Sequence, residues 1–227
     1  MDVSLDSIRF AFWKDRFAVS LPSSGVSIYL WQKGTYQKAR PIVKKNVTCI
    51  KFMDEGSMLV GGTKDGSLWQ CGVPNGILSA LTNVKAVIND VSVDREEGRA
   101  LVARYGGMCE LVNLRHPRRG MSVMTFGNED TIVRPAGGFG CKFLAGGQGA
   151  LFGNVSGCAL VWDTVKGSLV YGLSHEEGVM LILLWQAHDG TSASDVGYVV
   201  TATKRGSLYW WPQPASGMCL SYAWLHC

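Results

Sequence analysis

The chain has 227 residues, 47% of them apolar and only 18% charged, with 28 glycines; this balance excludes a disordered polypeptide and leaves ample length for one domain with a sizeable core. A net charge of +4 and a pI near 8.7 are too mild to indicate nucleic acid by themselves. Seven scattered cysteines, odd in number and never in a C-x-x-C, exclude a disulfide framework and a zinc site; several stand at strand positions as small apolar residues, which suits a reducing compartment.

The opening MDVSLDSIRF lacks a basic stretch followed by an apolar one, and the most apolar run, Val179 to Trp185, is too short to cross a bilayer. A soluble protein of the cytoplasm, or of the nucleus, is expected. Helix signals are nearly absent, and the chain reads as short strands punctuated by glycine turns.

A first unit runs over 5–42. Ile8, Phe10 and Phe12 alternate in one strand, Phe17, Val19 and Leu21 in the next, and Val26 to Trp31 form a third; Tyr36 to Ile42, with Pro41, reads as a weak edge strand. The second unit, 46–83, is the most regular, with turns at Asp54-Glu55-Gly56 and Lys64-Asp65-Gly66. A third, 87–126, carries Val91 and Val93, then Ala100 to Ala103, then Cys109, Leu111 and Asn113. Arg115, His116, Arg118 and Arg119 follow as the densest positive cluster. A Gly- and Pro-punctuated insertion over Gly127 to Gly138 precedes the fourth unit, 138–173. The fifth, 179–214, has strands at Tyr198 to Thr203 and Leu208 to Trp211 around a Lys204-Arg205-Gly206 turn, and a loop at Ala187 to Asp195.

These units are copies of one another. Ile50 to Gly72 aligns without a gap on Cys141 to Asp163, with Lys51 over Lys142, Phe52 over Phe143, Gly56 over Gly147, Gly62 over Gly153 and Gly66 over Gly157. The third strand of that unit ends in Trp162-Asp163 in the fourth copy, and its Trp slot falls at Trp31, Cys71, Val112, Trp162 and Trp211, at steps of 40, 41, 50 and 49. A period in the forties marks blade arrays. The unit resembles the tryptophan-aspartate (WD) repeat. Trp162-Asp163 is the full match, and Asp65-Gly66 matches the turn that the family places before its third strand.

The resemblance implies an all-β fold: a β-propeller of about five four-stranded antiparallel blades over 1–214, either a small closed ring or an incomplete arc of a larger propeller. The irregular 215–227 fits no repeat and reads as a stray apolar terminus, a ring-closing strand or the remains of a truncation. A unit that starts almost at Met1 and the odd terminus favour the arc. The family's blades carry a hydrogen-bonded network of His, Ser or Thr, Trp and a turn Asp. Here His175, Thr201 or Thr203 and Trp211 supply three members, with Arg205 in the Asp slot; the fourth unit has Ser156 in that slot, and no blade has the full set.

No feature calls for catalysis, a metal or a cofactor. His116, His175, His188 and His226 are scattered with no H-E-x-x-H, and Gly146-Gly147-Gln148-Gly149 sits between strands with no helix to hold a phosphate. Trp69, Trp210 and Trp211 are expected to pack between blades, Trp210 and Trp211 on opposite faces of one strand.

Propellers of this kind bind partners through the turns between second and third strands and the links between blades. The resemblance places Lys44, Lys45, Lys64, Lys85, Arg104, Lys204 and Arg205 on that rim, opposed by Asp65, Glu129, Asp130, Glu176 and Glu177. The other rim receives Lys14, Asp15, Arg16, Asp54, Glu55, Asp94, Arg95, Glu96 and Glu97. A non-catalytic scaffold that engages acidic protein segments through the more basic rim is the expectation. The alternatives are nucleic-acid binding through that rim with Arg115, Arg118 and Arg119, and a propeller fragment without independent function, with self-association if the ring is open.

Overall fold

The computed structural model describes residues 8–21, 24–94, 96, 98–115, 122–127, 140–144, 146–153, 158–174, 181–182, 198–203 and 207–212. They form five antiparallel sheets in sequence order. The first blade is β1 (Arg9–Trp13), β2 (Arg16–Leu21), β3 (Gly25–Gln32) and β4 (Thr35–Lys38). The second is β5 (Val47–Met53), β6 (Met58–Thr63), β7 (Ser67–Gly72) and β8 (Leu78–Asn83); the third is β9 (Ile88–Asp94), β10 (Arg99–Arg104), β11 (Met108–Asn113) and β12 (Ser122–Phe126). The fourth is β13 (Cys141–Leu144), β14 (Gly149–Gly153), β15 (Cys158–Asp163) and β16 (Leu169–Ser174), and the fifth has β17 (Leu181–Ile182), β18 (Tyr198–Thr203) and β19 (Leu208–Pro212). The chain is a β-propeller of four-stranded antiparallel blades. Its first strands lie side by side, β1 beside β5, β5 beside β9 and β9 beside β13.

Tight turns set this meander. Three residues separate Leu21 from its partner Gly25, and Arg104 from Met108. Gly66, in the turn after β6, has a φ of +82°, the left-handed region that L side chains avoid, and a Cβ there would press on the Ala86 backbone at 2.7 Å. Between β5 and β6, Asp54 and Glu55 take φ values of 47° and 53° ahead of Gly56.

The second, third and fourth sheets bury both faces because each is sandwiched between neighbours. Ala11, Ala18, Val26 and Ile28 of the first blade meet Ile50, Phe52, Leu59, Trp69 and Cys71 of the second. The other face of the second blade, with Cys49, Met53, Val60 and Leu68, meets Val91, Ala100, Val102 and Val112 of the third. Leu101, Ala103, Cys109, Leu111 and Phe126 then meet Cys141, Phe143, Ala150 and Phe152, and Leu144, Leu151, Ala159, Val161 and Leu173 meet Val199. Full burial of each larger side chain contributes roughly 1.5–3 kcal/mol.

Three expectations change here. Counted from strand pairing, the Trp slot is the third-strand residue opposite the second residue of the second strand: Cys71 opposite Leu59, Val112 opposite Ala100, Trp162 opposite Ala150 and Trp211 opposite Val199. In the first blade that residue is Tyr29, opposite Phe17, so Trp31 lies two residues beyond the slot, on the same face and nearer solvent. Trp210, expected to pack between blades, is 65% exposed, on the strand face away from Trp211. The edge strand expected over Tyr36 to Ile42 is β4 alone, with Ile42 held by an isolated bridge to Val26. The insertion, the loop at Ala187 to Asp195 and the 215–227 tail lie outside the described residues.

Candidate partner-binding rim

At one end of the blades, turns and inter-blade links alternate, tied by backbone hydrogen bonds. Lys64 N–H donates to Asn46 O at 2.9 Å, Val84 N–H to Gly66 O at 3.0 Å, and Tyr105 N–H to Val87 O at 2.8 Å. Gly25, in the turn before β3, sits against Ile42 and Lys44 so closely that a Cβ would collide with the Ile42 carbonyl. The sequence from the Gly25 turn to the turn after Arg104 is thus one continuous rim, and it carries Lys44, Lys45, Lys64, Lys85 and Arg104.

Their states differ. Lys45, Lys64 and Lys85 are exposed and form no ion pair among the described residues, whereas Lys44 is half-buried. Arg104 is engaged: its guanidinium pairs with Glu110 at 3.1 Å and donates to Val84 O at 3.2 Å and Met108 Sδ at 3.1 Å. Arg104 therefore ties β10 to the preceding link, and it is not an open cation for a partner. Lys204 and Arg205 lie outside the described residues.

Asp65 shapes this rim. Its carboxylate accepts hydrogen bonds from the Thr63 hydroxyl and from Ser67 N–H at 3.3 Å, and the Thr63 bond, chiefly, lowers its pKa below the ordinary value. Asn83 Nδ2 donates to Asp65 O at 3.0 Å and its Oδ1 accepts Lys85 N–H at 2.8 Å, so one asparagine fixes the turn and the link that carry Lys64 and Lys85. Lys85 has a φ of 55°.

The opposite rim is self-neutralising. Arg16 pairs with Asp15 at 2.9 Å and donates to Gly56 O at 3.2 Å; Arg99 pairs with Asp94 at 2.8 Å and donates to Gly147 O at 3.0 Å. Each arginine ties its blade to the next. Arg115 belongs here too, donating to Glu96 O at 2.7 Å, so it does not extend the lysine rim. Arg118, Arg119 and His116 lie outside the described residues.

Two further sites answer the sequence reading. Trp211 Nε1 donates to Thr201 Oγ1 at 2.8 Å, which selects Thr201 over Thr203, while Trp162 Nε1 is buried with no partner among the described residues. His175 and Ser156 lie outside those residues. Asp163 accepts the N–H groups of Val165 and Lys166 at 2.8 Å each, which lowers its pKa, and Asn113 in the same register position accepts Arg115 N–H at 2.9 Å. Both cap the turn after the third strand.

The inner strands hold a polar seam with little signal in the sequence. Arg9 donates to Thr48 O at 2.6 Å, and Asp90 lies 3.9 Å from Lys51 and accepts Cys141 N–H at 3.2 Å. Burial raises the Asp90 pKa, and Lys51 works against the rise. Asp90 thus links the second, third and fourth blades. No three His, Cys, Asp or Glu side chains among the described residues could hold a metal ion, and no helix among them is long and apolar enough to cross a membrane.

No family model matches the chain, and no curated protein does. Solved structures do match. A chain of the Mitotic Checkpoint Complex superposes with a TM-score of 0.69 at 14% identity, over 93% of this chain and 62% of that one. The computationally designed Ika8 protein superposes with a TM-score of 0.65 at 15% identity, over 90% and 57%. At such identities the likeness shows the fold, and this chain spans less than two thirds of either neighbour's length.

Proposed function

We infer that this chain is a divergent WD-repeat-type propeller, an arc of a larger ring, that works as a non-catalytic scaffold for protein–protein contacts and needs no cofactor. Its partner is an acidic protein segment laid along the rim of Lys45, Lys64 and Lys85, with Lys44 adjoining; by the repeat pattern of the sequence Lys204 and Arg205 belong to the same set. The observation that carries this reading is the asymmetry of the two rims: three exposed lysines without ion pairs among the described residues stand on consecutive turns and links of one, while arginines of the other are paired or bonded to local carbonyls. Unpaired surface cations raise the on-rate for an opposite charge and select against basic partners. The partial coverage of the longer solved neighbours supports the arc.

The test is fluorescence anisotropy with a labelled peptide rich in Glu and Asp, titrated with the wild-type chain and with a Lys45→Glu, Lys64→Glu, Lys85→Glu triple variant. Binding that weakens with salt and drops at least tenfold in the variant is expected, ~1.4 kcal/mol or more. An Arg16→Glu change on the opposite rim should leave it unaltered. No binding by the wild type, or equal binding by the triple variant, would overturn the reading.

A further inference from the structure

The links between blades are unequal. Residues 39–46 join β4 to β5, whereas 84–87 suffice between β8 and β9. The short link buries its Val84 to 5% exposure, while the long one leaves Val43 80% exposed. Ile77, in the turn between β7 and β8, is 87% exposed. A single exposed apolar side chain needs no explanation, but these two line one groove of about 340 Å³ on the outer flank of the first and second blades. Leu78 adds to its apolar wall, Cys71 and Ile42 close its buried side, and Arg40 is the charged residue of its lining.

Both walls hold their shape without a ligand. On one side Ile42 and Val26 exchange backbone hydrogen bonds at 2.8 and 3.0 Å. On the other, Gly76 N–H donates to Gly72 O at 2.8 Å, Val73 N–H to Ser57 O at 2.7 Å, and the Cys71 thiol to Gly76 O at 3.4 Å. A preformed site avoids the entropy cost of ordering on binding. The charge around it has one sign. The segment that holds one wall, 33–46, carries Lys33, Lys38, Arg40, Lys44 and Lys45; the other, 66–89, carries Lys85, and neither has an Asp or Glu. Arg40 is exposed, with no ion pair among the described residues. The groove also adjoins the lysine rim, since Lys44 and Lys45 follow Val43 directly.

We propose that this groove seats an apolar side chain of the acidic partner segment, with a neighbouring carboxylate on Arg40, so that the segment runs from the groove onto Lys45 and along the rim. The proposal rests on the reading of an acidic partner and adds a second determinant to it. A wholly acidic segment would leave Val43 and Ile77 in water, and a wholly apolar one would leave Arg40 and the lysines unmatched. A segment with both features covers the apolar surface and matches the charge.

The experiment is fluorescence anisotropy with two labelled peptides of Glu and Asp that differ only at the centre, Leu in one and Ser in the other. The full wild-type chain is expected to bind the Leu peptide at least ~tenfold tighter than the Ser peptide. A Val43→Asn, Ile77→Asn double variant, neutral so that the rim charge is kept, loses this preference and binds the Ser peptide as the wild type does. Arg40→Gln weakens the Leu peptide more than the Ser peptide, whereas the Lys45→Glu, Lys64→Glu, Lys85→Glu variant weakens both by the same factor. A cooperative melt certifies each variant, and Ile77→Asn alone replaces a double variant that fails it. Equal binding of the two peptides by the wild type, or a preference that survives in the double variant, overturns the groove and leaves the acidic-partner reading standing. An Arg40→Gln effect equal on both peptides overturns it as well. Binding of neither peptide overturns both. A second copy of the chain in the groove would instead raise the wild-type mass above 24.7 kDa with concentration and leave the double variant at that mass, which also overturns the proposal.

Discussion

The first and second blades share hairpin geometry and strand register, yet the same face has opposite fates in them. Ile50, Phe52, Leu59, Trp69 and Cys71 are sealed against the first blade, while their register counterparts Phe10, Phe12, Phe17, Ser27 and Tyr29 have no described blade before them. The difference teaches that in a stacked-sheet protein the strand dictates which residues share a face, and the neighbour dictates whether that face is core.

Substitution should expose this asymmetry most strongly at Trp69, 1% exposed. Trp69→Ala is expected to cost about 3–5 kcal/mol in urea unfolding, while Phe12→Ala at low protein concentration costs under about 1 kcal/mol. Equal losses would erase the distinction between the faces. Next in size is Gly61→Ala: a Cβ there collides with the Trp69 ring and comes within 2.9 Å of Cys49 O, so a loss of about 1–3 kcal/mol is expected. Its counterpart in the first blade is Val19, and Val19→Ala should change stability far less.

The other face of the second blade is as closed as the first. Cys49 is buried, chiefly desolvation pushes its thiol up to about 12, and thiolate is therefore scarce near neutral pH. A thiol reagent at pH 7.5 should label Cys49 only as fast as the protein unfolds; rapid labelling of the native chain would contradict the packing of the second blade on the third.

The smallest expected effects are on pH dependence, and they have opposite signs. Asp65 has a folded pKa below its ordinary value of 3.8, so it contributes stability that is present above that value and lost as pH falls through the folded pKa. Asp90 has a raised folded pKa, so its contribution is present below 3.8 and lost as pH rises through the folded value. Melting temperature followed from pH 3 to 7 should flatten at the acid end in Asp65→Asn and lose the opposite slope in Asp90→Asn. A common shift at all pH values in either variant would mean that titration of that group is not the cause.

Much of the blade order was legible because turn chemistry is local. Gly66 and the Asp54 to Gly56 segment announce hairpins whatever surrounds them, and the gapless match of Ile50 to Gly72 with Cys141 to Asp163 fixed the strand slots of two blades. The first blade reads two residues out of register because Trp31 is a more conspicuous anchor than Tyr29, and a two-residue slip leaves alternation unchanged. Alternation puts Phe10 and Phe12 on one face of β1; that Phe17 joins them depends on the pairing of β1 with β2, and that the small Ala11 and Ala18 point at the second blade depends on what lies 40 residues on. Arg104 reads as a rim cation because its place at the end of β10 is local, whereas its diagonal cross-strand partner Glu110 is set by the register of β10 on β11. Asp90 had no local signature, for its partners come from two other blades.

The measurement that bears most directly on the account is hydroxyl-radical footprinting with residue-level mass spectrometry, at a concentration low enough for monomers. Phe10 and Phe12 should oxidise many times faster than Phe52 and Trp69 after correction for intrinsic reactivity. If Phe12 is already as protected as Phe52 and Trp69 in the dilute monomer, the outer face of the first blade is covered within one molecule and the contrast between the first and second blades is contradicted.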